Sequence, residues 1–285
     1  MPVVVSMVAC GSRSLSAGWP DSLEGLRFRW SADMGVDLTS GPAVPLRAYL
    51  ESHRIGDMTR NTDLVYPGFQ RAAPAVGKPR DDVSSDLPYE LWDIQPGTDL
   101  VLGDAKRYFG NEYFHVLAIE SIGDATHRAY VCDGRYNIFR ESDKSGTYVS
   151  AFNTSEGATK GLTGPDLAGI KLWRIEYADG TTAAGGSSIT QAIYPQKGTR
   201  PAPQSDVFAG WQIIGANSEG LWGSKDFPDS TPGGLGRGKD YQNLYLQCLD
   251  KMPHDTAQRQ AIYQNELDAA PAPELAAPGW PTNIA

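Results

Sequence analysis

His115-Val116-Leu117-Ala118-Ile119-Glu120, His127-Arg128-Ala129-Tyr130-Val131-Cys132 and Arg135-Tyr136-Asn137-Ile138-Phe139-Arg140 follow one another with Gly123-Asp124 and Asp133-Gly134 at the joins. Apolar and polar residues alternate within each stretch, the period of a half-buried strand. Asp-Gly is the residue pair that a two-residue hairpin favours, because both central positions need positive φ. The reading is therefore an antiparallel meander. Thr147-Tyr148-Val149-Ser150-Ala151-Phe152 and Ile170-Lys171-Leu172-Trp173-Arg174-Ile175-Glu176-Tyr177 extend it by two strands.

Upstream, Leu26-Arg27-Phe28-Arg29-Trp30-Ser31 reads as another strand. Thr39-Ser40-Gly41-Pro42 then offers a hydroxyl cap and a proline for the first turn of a helix. Residues 43–55 have helical spacing, with Ala43, Leu46, Leu50 and His53 on one face, Tyr49 beside it and Gly56 as a C-cap. Residues 63–95 are irregular. Downstream, 195–206 and 223–239 are Gly-, Pro- and Ser-rich loops. Two short helices follow. Asp240 caps 241–249, placing Tyr241, Leu244 and Cys248 on one face, and Asp255 caps 256–267. The tail from Ala269 is Ala- and Pro-rich and reads as extended or mobile. Helix first and sheet second make an α+β plan, an N-terminal helix packed on a curved antiparallel sheet with a loop-rich C-terminal extension carrying two short helices. Leu46, Leu50, Leu117, Ile119, Leu172 and Ile175 are expected to be buried together. The expected division is a signal remnant and tether over 1–20, an α+β core over 21–195, and the extension, packed on that core, over 196–285.

The chain begins MPVVVSMVAC. Met7-Val8-Ala9-Cys10 resembles a bacterial lipobox, in which a small residue precedes the cysteine that takes the diacylglycerol. Residues 11–18 form a small, polar tether. A signal peptide also needs a basic n-region, and no Lys or Arg precedes Arg13. Either the true start lies upstream, or residues 3–9 form a short strand and Cys10 is a buried thiol. With Cys10 set aside, Cys132 and Cys248 remain, and an even remainder in an exported chain reads as one disulfide. Two separate buried thiols are the alternative.

The net charge of −9 repels phosphate backbones and anionic headgroups, which argues against nucleic-acid partners. No run of 18 or more apolar residues occurs, so no bilayer-spanning helix is expected. Neither CxxC nor HExxH occurs, and no metal site is expected. The joins Gly215-Ala216-Asn217-Ser218-Glu219-Gly220 and Gly185-Gly186-Ser187-Ser188 fail the spacing of a serine-nucleophile turn and read as ordinary turns. Gly233-Gly234-Leu235-Gly236-Arg237-Gly238 follows no strand and is no phosphate loop, so no cofactor is expected. His115 and His127 lie on consecutive predicted strands, near each other across the turn at Gly123-Asp124, but two histidines make an incomplete metal site.

The order helix then bent sheet, from Phe28 to Tyr177, resembles the cone-shaped domain of nuclear transport factor 2. That resemblance implies a cavity lined by Trp30, Tyr49, His53, His115, Tyr130 and Trp173, with His53 at its mouth either as a general base or as a histidine bonded to a backbone carbonyl. Phe28-Arg29-Trp30-Ser31-Ala32, residues 41–52 and Tyr66-Pro67-Gly68-Phe69 resemble uncharacterised exported proteins of mycobacteria and other actinobacteria, and of their bacteriophages. So does the ending, from Cys248-Leu249-Asp250-Lys251-Met252-Pro253 to Pro278-Gly279-Trp280-Pro281. This implies an extracytoplasmic, lipid-anchored envelope protein acting as a binding or interaction module, with the membrane, another envelope protein or a small apolar ligand as partner. Two rivals are an enzyme of hydrolase or isomerase type using the cone cavity, and a phage virion or superinfection-exclusion protein.

Overall fold

In the computed structural model, residues 18–75, 87–97, 106–143, 146–152, 169–180, 195–218, 220–223 and 239–282 are described. Cys10, the tether as far as Ala17, and the glycine-rich stretches 185–188 and 233–238 lie outside them. Strand β1, Gly25–Ala32, turns Leu26, Phe28 and Trp30 inward by simple alternation. The chain then makes helix α1, Ala43–Thr59, and returns as β2, Tyr108–Ser121. β1 and β2 pair in parallel, from Gly25 opposite Phe109 to Ala32 opposite Val116. The sheet is therefore not a pure meander. It opens with a strand–helix–strand unit, since parallel neighbours need a long crossover.

The remaining pairings are antiparallel. β3, Thr126–Gly134, lies along the later half of β2, and β4, Ile138–Glu141, along its start. Both run in the same direction on the same edge of β2. The expected hairpin at Asp133-Gly134 is thus corrected to an interrupted strand that continues past a short excursion at residues 135–137. Neither Asp133 nor Gly134 takes the positive φ a hairpin turn requires; Gly110 on β2 does, at 93°, where a side chain would strike the Asn137 carbonyl. β6, Ile170–Asp179, pairs with β3, and β7, Trp211–Asn217, pairs with β6. On the other side β5, Tyr148–Ser150, pairs with β4, and β8, Glu266–Leu267, pairs with β5. The order is β7-β6-β3-β2-β4-β5-β8, with β1 on the free edge of β2. Register shifts at Val116/Ala118 and Glu176/Tyr177 supply the bulges that curve such a sheet.

Helix α1 lacks a side-chain cap at Pro42, and Thr39 and Ser40 bond Asp37 instead. It runs past the expected stop at Gly56 to a left-handed cap at Arg60. Gly56 is an interior residue where the helix meets Pro96, and a β-carbon there would lie 2.4 Å from the proline ring. A short helix α2, Phe69–Ala72, packs against α1. Beyond β7, helix α3, Lys239–Lys251, begins before Asp240, so that residue lies within the helix rather than capping it. Helix α4, Thr256–Gln264, starts in a capping box between Asp255 and Gln258 and ends earlier than expected, where β8 begins.

The sheet has two covered faces. On one, α1 buries Leu46, Leu50, Phe114, Val116, Val131, Trp173 and Ile175 in the larger core. On the other, α3 packs on β2, β3 and β6 over Tyr113, Leu117, Tyr130, Cys132 and Leu172. The expected six-residue core is split accordingly. Leu172 and Ile175 are three apart, so the pleat sends them to opposite faces. The bulge after Val116 parts Leu117 from Ile119 in the same way, and Ile119 packs, half-buried, on the α1 side.

Cys132 and Cys248 form a disulfide with their Cα atoms 5.3 Å apart, fastening α3 to β3. The tail is not loose. Ala277 bridges to Arg29, Trp280 to Arg200, and the Trp280 ring is 1% exposed in the larger core.

Candidate functional site

The α1 face holds a cluster of buried charge. Glu112 on β2 and Asp133 on β3 point to the same side as Phe114 and Val131, because each is two residues away along its strand. Arg54 comes down from α1 between them. Its Nε donates to Glu112 Oε1 at 2.7 Å and its Nη2 to Asp133 Oδ2 at 2.8 Å, while Nη1 reaches Asp57 Oδ2 at 3.2 Å. Trp173 Nε1 also donates to Asp133 Oδ2, at 3.1 Å. The Phe152 ring covers both Arg54 and Arg135.

Burial lifts the Glu112 carboxyl well above the usual carboxylate range, and the hydrogen bond to Asp133 raises it further, while Arg54 pulls it back only in part. Burial pushes Asp133 up too, but Arg54, Arg135 and the bond from Glu112 bring it below its ordinary value. Asp57 is raised by burial and lowered, on balance to about 2, by His53, Arg54 and the Gly97 N–H. Arg54 thus touches three carboxyl groups, Glu112, Asp133 and Asp57, and Arg135 lies 3.9 Å from Asp133. This is how a desolvated ionic group avoids an uncompensated charge.

A second knot lies one turn earlier on α1. Glu51 accepts Trp30 Nε1 at 2.7 Å, Tyr66 Oη at 2.6 Å and Trp280 Nε1 at 2.7 Å. Arg47 stacks on the Trp280 ring and donates to the carbonyls of Leu38, Gln196 and Pro278. Helix, β1 and tail meet at one carboxyl.

The six expected cavity residues do not share one space. Trp30, Tyr49, His53 and Trp173 stand on the α1 face. Tyr49 Oη donates to the Asp93 and Ile94 carbonyls, and His53 Nε2 lies 3.0 Å from the Asp93 carbonyl with Nδ1 3.3 Å from Asp57. His53 therefore has the surroundings of a structural histidine. His115 and Tyr130 are corrected to the opposite face, because Phe114, Val116, Ala129 and Val131 occupy the α1 side at the alternate positions. His115 and His127 are also apart: His115 lies opposite Cys132 and His127 opposite Ser121.

Arg54, Glu112 and Asp133 escaped the sequence reading. Their separation along the chain hides them, and Asp133-Gly134 has the composition of a turn. A buried acid at an alternating strand position, Glu112 between Tyr108 and Phe114, was the available signal. On the α3 face His115 meets Ser31 and Asp33, which were also missed. Among the described residues no group of three or more His, Cys, Asp or Glu could hold a metal ion, and no helix is long and apolar enough to cross a membrane. Compared with known proteins, the chain matches no family model, no curated protein and no solved structure.

Proposed function

We propose that this chain works outside the cytoplasm, held at the envelope surface by a lipid on Cys10, as a binding or interaction module. The observation that carries the reading is the Cys132–Cys248 disulfide, a bond that persists in oxidising compartments and is rare where thiols are kept reduced. The acidic charge fits a protein that meets the membrane through its anchor rather than through its surface. Binding is favoured over chemistry on the α1 face because the groups there are engaged with one another: Trp30 with Glu51, Tyr49 and His53 with backbone carbonyls, Trp173 with Asp133. The partner expected is another envelope protein or a small apolar ligand.

The test uses the gene with its native upstream region in an actinobacterial host. Detergent partitioning and intact mass, with and without reductant, report cleavage, lipid and disulfide together. The expected product has lost residues 1–9, carries a diacylglycerol and gains two hydrogens on reduction. A Cys10→Ala protein that still partitions into detergent and differs from wild type only by the mass of the one sulfur would overturn the anchor. Free thiols at Cys132 and Cys248 in that fraction would overturn the address.

A further inference from the structure

The face of the sheet opposite α1 carries a serine, a histidine and an aspartate in bonding order. Ser31 and His115 are cross-strand partners in the parallel β1–β2 pair. Asp33 follows Ser31 by two residues, just past the end of β1, where its N–H donates to the Val116 carbonyl. Ser31 Oγ lies 2.8 Å from His115 Nδ1, and His115 Nε2 lies 3.2 Å from Asp33 Oδ1. One tautomer satisfies both contacts: Nε2–H donates to Asp33, and the lone pair on Nδ1 accepts the Ser31 hydroxyl. Ser31 is exposed and His115 is buried, so the hydroxyl is open to a substrate while its base is shielded.

We propose that Ser31 is a nucleophile, His115 its general base and Asp33 the positioning residue of an esterase site for carboxylic esters with apolar acyl groups. The inference stands apart from the envelope reading, which rests on Cys10 and the disulfide. Oγ adds to the ester carbonyl as its proton passes to Nδ1, and the carbonyl π pair moves to oxygen. Collapse breaks the bond to the alkoxy oxygen, which leaves as an alcohol with the proton from Nδ1. Water then repeats the sequence on the acyl-Ser31, giving the carboxylic acid and free enzyme. Esters suit the site better than amides, since an alkoxide leaves without the strong protonation an amine demands. Met34, next in the chain and fully exposed, offers an apolar contact for the acyl group.

The disulfide enters this arrangement. Cys132 lies opposite His115, and its partner Cys248 is three residues before Lys251 on α3. That turn brings the Lys251 ammonium onto Asp33. Three charged or polar groups thus face His115: Ser31, Asp33 and Lys251. Burial lowers the imidazole pKa, Asp33 raises it, and the Lys251 charge lowers it again. On balance His115 is held below its ordinary value, so it is neutral and basic at pH 7.

The test uses the disulfide-bonded full chain with a fluorophosphonate probe and p-nitrophenyl butyrate. The expected result is one phosphonyl adduct, mapped to Ser31, and ester hydrolysis that rises with pH to a plateau through an apparent value below that of an ordinary histidine. Ser31→Ala should lose both signals, and His115→Gln should lower the labelling rate by about 10²-fold or more. Lys251→Met should move the acid limb to higher pH, a shift that a purely structural lysine would not cause. Asp33 is near the surface, so Asp33→Asn keeps the fold and should slow hydrolysis about tenfold or more. An unlabelled Ser31 in folded protein, or equal labelling of wild type, His115→Gln and Asp33→Asn, would overturn the proposal.

Discussion

Arg54 shows how one residue sets the electrostatics of an interior. It is buried and bonded to Glu112, Asp133 and Asp57 at once, so its own charge is held by its carboxyl neighbours despite the cost of burial. Glu112 and Asp57 respond to pH with opposite signs. Glu112 has a folded pKa raised above its unfolded value, so its contribution to stability is complete below about pH 4.5 and fades as pH rises through the folded value. Asp57 is lowered to about 2, so its contribution is complete above its unfolded value near 3.8 and fades as pH falls toward 2. Glu112→Gln keeps a neutral donor of the same shape. Its stability at pH 4.5 should stay within about 1.5 kcal/mol of wild type, and the loss on the alkaline side should flatten. Urea titrations at several pH values would show this, and an unchanged slope would mean that Glu112 is ionised in the fold. Arg54→Met leaves carboxyl groups buried without their cation and should cost about 3–5 kcal/mol.

At the scale of elements, α1 is buried nearly all round, and Leu50→Ala should cost about 2–5 kcal/mol by cavity formation. A loss under about 0.5 kcal/mol in chemical denaturation would mean that the helix does not pack on the sheet. Helix α3 depends on a different fastening. The Cys132–Cys248 bond closes a loop of 116 residues, and opening it should cost up to about 4–5 kcal/mol in the chain-entropy account. Hydrogen exchange in reductant should then rise in α3 well before it rises in β2 and β3. Both elements, and the pairing of these cysteines, were legible in the residues, because spacing along one helix face and an even cysteine count are local facts. β7 was not. Trp211 to Ile213 alternate, but Gly215 suggested a turn, and its purpose shows only in three dimensions, where the Trp222 ring would lie 2.9 Å from a β-carbon on that residue. The pairings of β2 with β3 and of β4 with β5 follow from the meander, but the partners of the other strands were beyond the sequence. The parallel β1–β2 pair that joins Ser31 to His115 follows from the crossover, not from any motif.

Over the whole molecule, the α+β class was legible and the layering was not. Alternation says that a strand has two faces, but not that both are covered, so residues of two cores were read as one. The tail departs from expectation for a related reason: its Ala-Pro composition reads as extended or mobile, and only Trp280 signals burial. Trp280→Ala should destabilise the protein by about 3–5 kcal/mol. Trp280→Phe keeps most of the volume but leaves Glu51 without that N–H, and should cost about 1–3 kcal/mol. If thermal denaturation finds both variants equal to wild type, the tail does not hold the core.

That tail has a consequence for how the protein is made. Glu51 emerges from the ribosome early and finds Trp30 and Tyr66 nearby in sequence, yet its third donor, Trp280, is synthesised 229 residues later. Until then the pocket beneath Arg47 lacks its indole, and the larger core stays open to water. A chain that stops short of Trp280 therefore leaves apolar surface of the larger core uncovered. Closing the larger core around Glu51 therefore waits on the last residues of the polypeptide.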